Sequence, residues 1–142
     1  MSRPSNDHWV DLKRALRYLK GTLKYGLNFS GHEEAPELFG HSDADWAGDV
    51  DTRSRRSSYV FQIGSNTVSW SSRKQATVAK CSTEAQYVAL NSATQKAVWL
   101  HRLVEDLGRQ MDALTTIYED SQGAIELAKN AKCHNQTKHI DI

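Results

Sequence analysis

The chain has 142 residues, 39% of them apolar and 25% charged, with a formal net charge of +1. That length suits one domain with a real core and excludes two, and the composition is that of a soluble globular protein. A near-neutral balance neither demands nor excludes a nucleic-acid partner, because local distribution of charge outweighs the sum.

Residues 1–7 are polar and contain Pro4, which predicts a frayed start. Asp7 is placed to cap a helix over residues 8–20. Its apolar positions Trp9, Leu12, Leu16, Leu19 and Leu23 recur at helical spacing, and Gly21 is a stop signal. Lys13, Arg17, Lys20 and Lys24 line another face. That face reads as solvated surface or, more sharply, as a phosphate contact. Residues 25–29 read as a short strand, 31–36 as a polar loop, 37–46 as a second strand, and 47–57 as a charged turn or loop. Two more strands, 58–64 and 67–72, flank the hairpin residues Gly64, Ser65 and Asn66.

The second half changes period. Thr83 and Gln86 have the spacing of a capping box. From Val88 through Ala89, Ala93, Ala97 and Leu100 to Leu107 the apolar positions sustain a long helix, with Gly108 as its stop. A strand over 114–118 follows, and Ser121 opens another helix that ends near Asn130. The tail 131–142 is polar. Meander, helix, strand, helix is the order of an α/β fold with a mixed sheet. Its first strand should neighbour the strand after the long helix through a right-handed crossover.

Cys81 and Cys133 are too few for a disulfide scaffold and suit a reducing compartment. The opening residues carry no apolar signal-peptide core. No apolar run approaches the ~20 residues that a membrane span needs. The expectation is a cytoplasmic or nuclear protein, not secreted and without a membrane partner.

Three acidic residues stand where extended runs meet a turn or a helix start: Asp43 in FGHSDADWAG, Glu84 in CSTEAQYVAL and Asp120 in TTIYEDSQGA. Each alone has an ordinary role. Asp43 suits a strand surface, Glu84 is a favourable first-turn acid, and Asp120 suits the start of a helix. Gathered at one point, three carboxylates repel unless hard cations lie between them, and such a site suits two-metal phosphodiester chemistry. Asp120 would sit beyond the carboxyl end of a parallel strand, where α/β sheets bind ligands. Glu119 beside it should point the other way.

Other constellations fit less well. An EF-hand read from Asp43 fails at Ala47 and Ser54. Cys133, His134 and His139 lack the paired four-ligand spacing of structural zinc. No G-x-S-x-G elbow, P-loop or dinucleotide fingerprint occurs.

Taken together, HWVDLKRALRYLKGTLKYGL, GHSDADWAGDVDTR, VSWSSRKQATVA, STEAQYVAL, AVWLHRLVEDLG, IYEDSQGAIELAKN and TKHIDI resemble the ribonuclease H region of copia-type long-terminal-repeat retrotransposon Pol polyproteins, in order and over about residues 8–142. The resemblance implies a ribonuclease H-like fold that hydrolyses the RNA strand of RNA–DNA hybrids during reverse transcription. It implies Asp43, Glu84 and Asp120 as catalytic and metal-binding residues, and two Mg²⁺ ions, with Mn²⁺ as a substitute. Arg53, Arg55, Arg56, Arg73 and Lys74 are the candidate phosphate contacts. The implied partners are the hybrid and the reverse transcriptase domain of the same polyprotein, in a cytoplasmic virus-like particle or the nucleus. Residues 1–24 then form a basic lead-in helix, and 25–142 a ribonuclease H-like domain lacking the family's final strand and helix. Asp141 does not match the family's fourth-carboxylate motif, and Gln86 stands where the family tends to have glutamate. The alternative is an inactive remnant that binds nucleic acid or a polymerase partner.

Overall fold

The computed structural model describes residues 5–31, 37–45, 55–76, 79, 81–109 and 114–130. The elements are α1 (Asn6–Gly21), β1 (Leu38–Asp45), β2 (Arg56–Ile63), β3 (Asn66–Lys74), α2 (Ser82–Asp106), β4 (Thr116–Tyr118) and α3 (Gln122–Lys129). The four strands form one sheet in the order β3-β2-β1-β4. Pairing is antiparallel from β1 to β2 and from β2 to β3, and parallel from β1 to β4. This mixed sheet, an antiparallel meander followed by helix, strand and helix, is consistent with a ribonuclease H-like fold.

Alternation along β1 decides which face is covered. Leu38, Gly40, Ser42 and Ala44 are buried, whereas His41, Asp43 and Asp45 are exposed. The buried face meets α2, whose inward stripe is Ala85, Ala89, Ala93, Ala97 and Leu100. Four alanines spaced by four residues put methyl groups along one line, so helix and sheet approach closely. Leu38, Phe61, Ala93, Ala97 and Leu100 form one core cluster, and Ala44, Ala79, Ala85 and Ala89 the other. Phe61 lies over Gly40, where a β-carbon would fall inside the reach of its ring.

Several expectations change. Helix α1 is capped by Ser5, which accepts from the His8 N–H, and not by Asp7, which lies in the first turn. None of its residues is buried, so the predicted apolar stripe stays exposed. Residues 25–29 form no strand, since no described strand pairs with them to hold them extended. The Thr83–Gln86 capping box is absent: α2 begins at Ser82 with Cys81 as its cap residue, and no side chain caps it. Gln86 spends its side chain elsewhere, as described below. The stop at Gly108 holds, with φ of 82°, and Ser121 caps α3 by accepting from the Ala124 N–H. Most of the 47–57 loop, the residues Cys133, His134, His139 and Asp141, and the rest of the tail lie outside the described residues.

Candidate functional site

Strands β1 and β4 run parallel, with Phe39, Gly40 and His41 opposite Thr116, Ile117 and Tyr118. Carried two residues further, that register sets Glu119 opposite Ser42 and Asp120 opposite Asp43. A hydrogen bond supports the first pairing: Ser42 Oγ donates to Glu119 Oε2 at 2.5 Å. Alternation then separates the two acids. Glu119 turns to the covered face with Ser42, and Asp120 shares the exposed face with Asp43. Asp43 and Asp120 are both exposed, and the continued register sets them side by side at the carboxyl ends of the two strands.

Glu119 is the perturbed acid of this corner. Burial raises its pKa above the ordinary 4.5. Hydrogen bonds from Ser42 and from the Ser121 N–H pull the other way, and neighbouring Asp120 adds to the rise.

Helix α2 delivers a different side chain to Asp43 than the expected one. Gln86 Oε1 accepts the Ala44 N–H at 2.7 Å. Its Nε2 lies 3.3 Å from the Ala44 carbonyl oxygen and 3.1 Å from Asp43 Oδ1. The pairing with Ala44 fixes the amide's orientation, since only the oxygen accepts from an N–H. The NH₂ group therefore faces Asp43. The contact has a structural cause: β4 ends opposite His41, so the edge of β1 beyond it needs another partner. Glu84 lies two residues earlier, about 200° around the helix, and so on the other flank of α2. The structure joins Gln86 to Asp43 through a side-chain hydrogen bond, and Glu84 points about 200° away from Gln86 around α2. The helical phase set by Ala85 and Ala89 places Glu84 and Gln86 on opposite flanks, which the sequence alone carries. Which flank meets β1 depends on the packing.

Do these residues fit a pair of Mg²⁺ ions? Among the described residues, no three His, Cys, Asp or Glu side chains are grouped to hold a metal ion. The Gln86 amide donates to Asp43 Oδ1, and an amide nitrogen is no ligand for a hard cation. The donor set as it stands does not fit the two ions.

The basic candidates divide. Arg55 is buried, and its guanidinium donates to the Cys81 carbonyl at the start of α2. Its position is that of a structural tie. Arg56, Arg73 and Lys74 are exposed at the ends of β2 and β3, where Arg56 pairs across the ladder with Lys74. Arg53 lies outside the described residues. No described helix is long and apolar enough to cross a membrane.

Comparison with known proteins adds sequence relatives. The chain is 40% identical over its whole length to the retrovirus-related Pol polyprotein from transposon TNT 1-94 of Nicotiana tabacum, and also to that from transposon RE2 of Arabidopsis thaliana. It is 54% identical over 99 residues, covering 70% of this chain and 69% of the relative, to secreted RxLR effector protein 161 of Plasmopara viticola. The chain spans about 10% of the length of the two polyproteins. No family model and no solved structure matches it. Similarity over all 142 residues to a segment of transposon polyproteins, on a mixed α/β sheet, relates the chain to a retrotransposon Pol region.

Proposed function

We propose that this chain is the ribonuclease H domain of a copia-type Pol polyprotein and that its substrate is the RNA–DNA hybrid of reverse transcription. The reaction proposed is hydrolysis of the RNA strand, in which water attacks phosphorus and the 3′-oxygen leaves. One observation supports the reading: β1 and β4 pair in parallel, and their register, continued past Tyr118, would set Asp120 beside Asp43 at the carboxyl ends. Their acceptor oxygens suit the orientation of an attacking water. Glu84, on the far flank of α2, is the member of the expected trio that the geometry supports least. Hybrid would be told from DNA by groove shape and 2′-hydroxyls. Arg56, Arg73 and Lys74 supply cations at the same end of the sheet. The reverse transcriptase domain of the same polyprotein is the proposed partner, in a virus-like particle or the nucleus.

The Gln86 contact favours a second reading, in which the domain holds hybrid or a polymerase partner and cuts poorly or not at all. Mg²⁺, which would activate the water in the family reading, is proposed for a site with a carboxylate at position 86 and not for the amide. A labelled hybrid assayed for binding and cleavage, with Asp120→Asn in parallel, tests both. Binding without cleavage selects the second reading. Cleavage lost in Asp120→Asn selects the first, and absence of binding removes both.

A further inference from the structure

A sheet face covered by a helix is ordinarily apolar. Around Phe61 this holds, but toward the open end of the β2–β3 hairpin the pattern inverts. Val60, Val68 and Trp70 face solvent, with Trp70 62% exposed. Ser57, Ser71 and Arg73 lie on the α2 side, where Tyr59 pairs with Ser71 and Ser57 with Arg73. Helix α2 closes the space with Ser92, Lys96 and Trp99, leaving a cavity of about 330 Å³. Polar groups on an inward face cost stability unless something satisfies them.

The lining has one sign of charge. It holds Arg73 and Lys96 and no carboxylate. Neither cation has a carboxylate partner among the described residues. Lys96 Nζ stands 3.6 Å from the Trp99 ring centroid, which steadies the ammonium at the wall. The Ser57 hydroxyl accepts from Gln75 Nε2 at 2.8 Å, so its own proton remains to donate. Gln75 is itself fixed, donating to the Ala85 carbonyl at 2.9 Å. A guanidinium fork, an ammonium point charge and a hydroxyl donor form a set for phosphate oxygens.

We infer that this cavity binds a phosphate of a nucleic-acid backbone. The inference rests on the proposed nucleic-acid reading and adds a site to it. Ser57 is the cross-strand partner of Ala44, and Arg73 is the partner of Ser57. The cavity thus lies one to two strand spacings, about 5–10 Å, from the β1 residue beside Asp43. A strand bound at the sheet end would be anchored there by its backbone, independently of base sequence.

The test is fluorescence anisotropy with a short RNA–DNA hybrid and a short single-stranded DNA over a range of salt. Arg73→Gln and Lys96→Gln are compared with Arg102→Gln, which removes equal charge from a separate cleft. Circular dichroism checks that each variant is folded, and Arg73→Met serves if Arg73→Gln is not. The expected result is a salt slope smaller by about 1 in Arg73→Gln and in Lys96→Gln, and unchanged in Arg102→Gln. Hybrid binding with the wild-type slope in both cavity variants overturns the inference and leaves the proposed substrate standing. Pocket-dependent binding of the single strand alone supports the cavity and overturns the hybrid reading. Binding of neither probe overturns both.

Discussion

Gln86 donates its side-chain amide to Asp43 Oδ1 at 3.1 Å while its oxygen accepts the Ala44 N–H at 2.7 Å. One side chain thereby finishes the open edge of β1 and occupies the carboxylate beside it. A glutamate of the same shape would keep the Ala44 bond but turn its second oxygen toward the Ala44 carbonyl and Asp43. Two acceptors and a like charge would then face one another, which costs stability until a cation sits between them. Gln86→Glu should be less stable than wild type in chelator by about 1–3 kcal/mol. Millimolar Mg²⁺ or Mn²⁺ should raise its melting temperature more than that of the wild type. Equal metal-induced shifts in the two proteins would show that the amide does not limit binding.

Arg55 and Arg56 are adjacent in sequence and opposite in setting. The buried guanidinium of Arg55 holds the Cys81 carbonyl, while Arg56 is exposed. Urea denaturation should show Arg55→Ala destabilised by about 2–3 kcal/mol, because a buried charge-assisted bond is lost. The same experiment should place Arg56→Ala within about 0.5 kcal/mol of wild type. Equal stability of the two variants would contradict the assigned roles.

Glu119 gives the fold a pH dependence with a definite sign. Burial raises its folded pKa above 4.5, so the native state binds more protons than the unfolded chain in the window just above that value. Stability contributed by this group is therefore present at low pH and lost as pH rises through the folded pKa. The effect is modest because the side chain is only half-buried. In metal-free protein, Glu119→Gln should flatten this part of the pH–stability curve. Ser42→Ala should steepen it, since the serine bond lowers the same pKa. A pH profile identical in wild type and Glu119→Gln would assign the dependence to other groups.

Gly40 is fixed by the Phe61 ring rather than by its backbone angles. Gly40→Ala should force the ring out of place and cost about 1–3 kcal/mol by overpacking. A melting temperature equal to that of wild type would mean that the core repacks freely at this point.

The meander, the long helix and the parallel return strand were legible in the sequence, since period-two runs, the alanine stripe and Gly108 are local signals. Residues 25–29 misled because five residues of strand-like composition form a strand only beside a free edge. Thr83 and Gln86 misled for a related reason. A capping box needs the Gln86 side chain to turn back on its own helix, and the unpaired Ala44 backbone competes for it. Parity and register relate Asp43 to Asp120 from the sequence alone, whereas helical phase gives Glu84 two possible flanks and only packing chooses between them. The polar inward face of β2 and β3 was written in Ser57, Ser71 and Arg73, but its meaning depends on Lys96 arriving opposite.

The most direct measurement is cleavage of a labelled RNA–DNA hybrid by wild type, Gln86→Glu and Gln86→Glu combined with Asp43→Asn, in Mn²⁺ and under conditions where all three are folded. Wild type is expected to cut the hybrid slowly, at least about a hundredfold more slowly than Gln86→Glu, and the double variant is expected not to cut. Wild type cutting as fast as Gln86→Glu would contradict this expectation, as would cleavage that survives loss of Asp43.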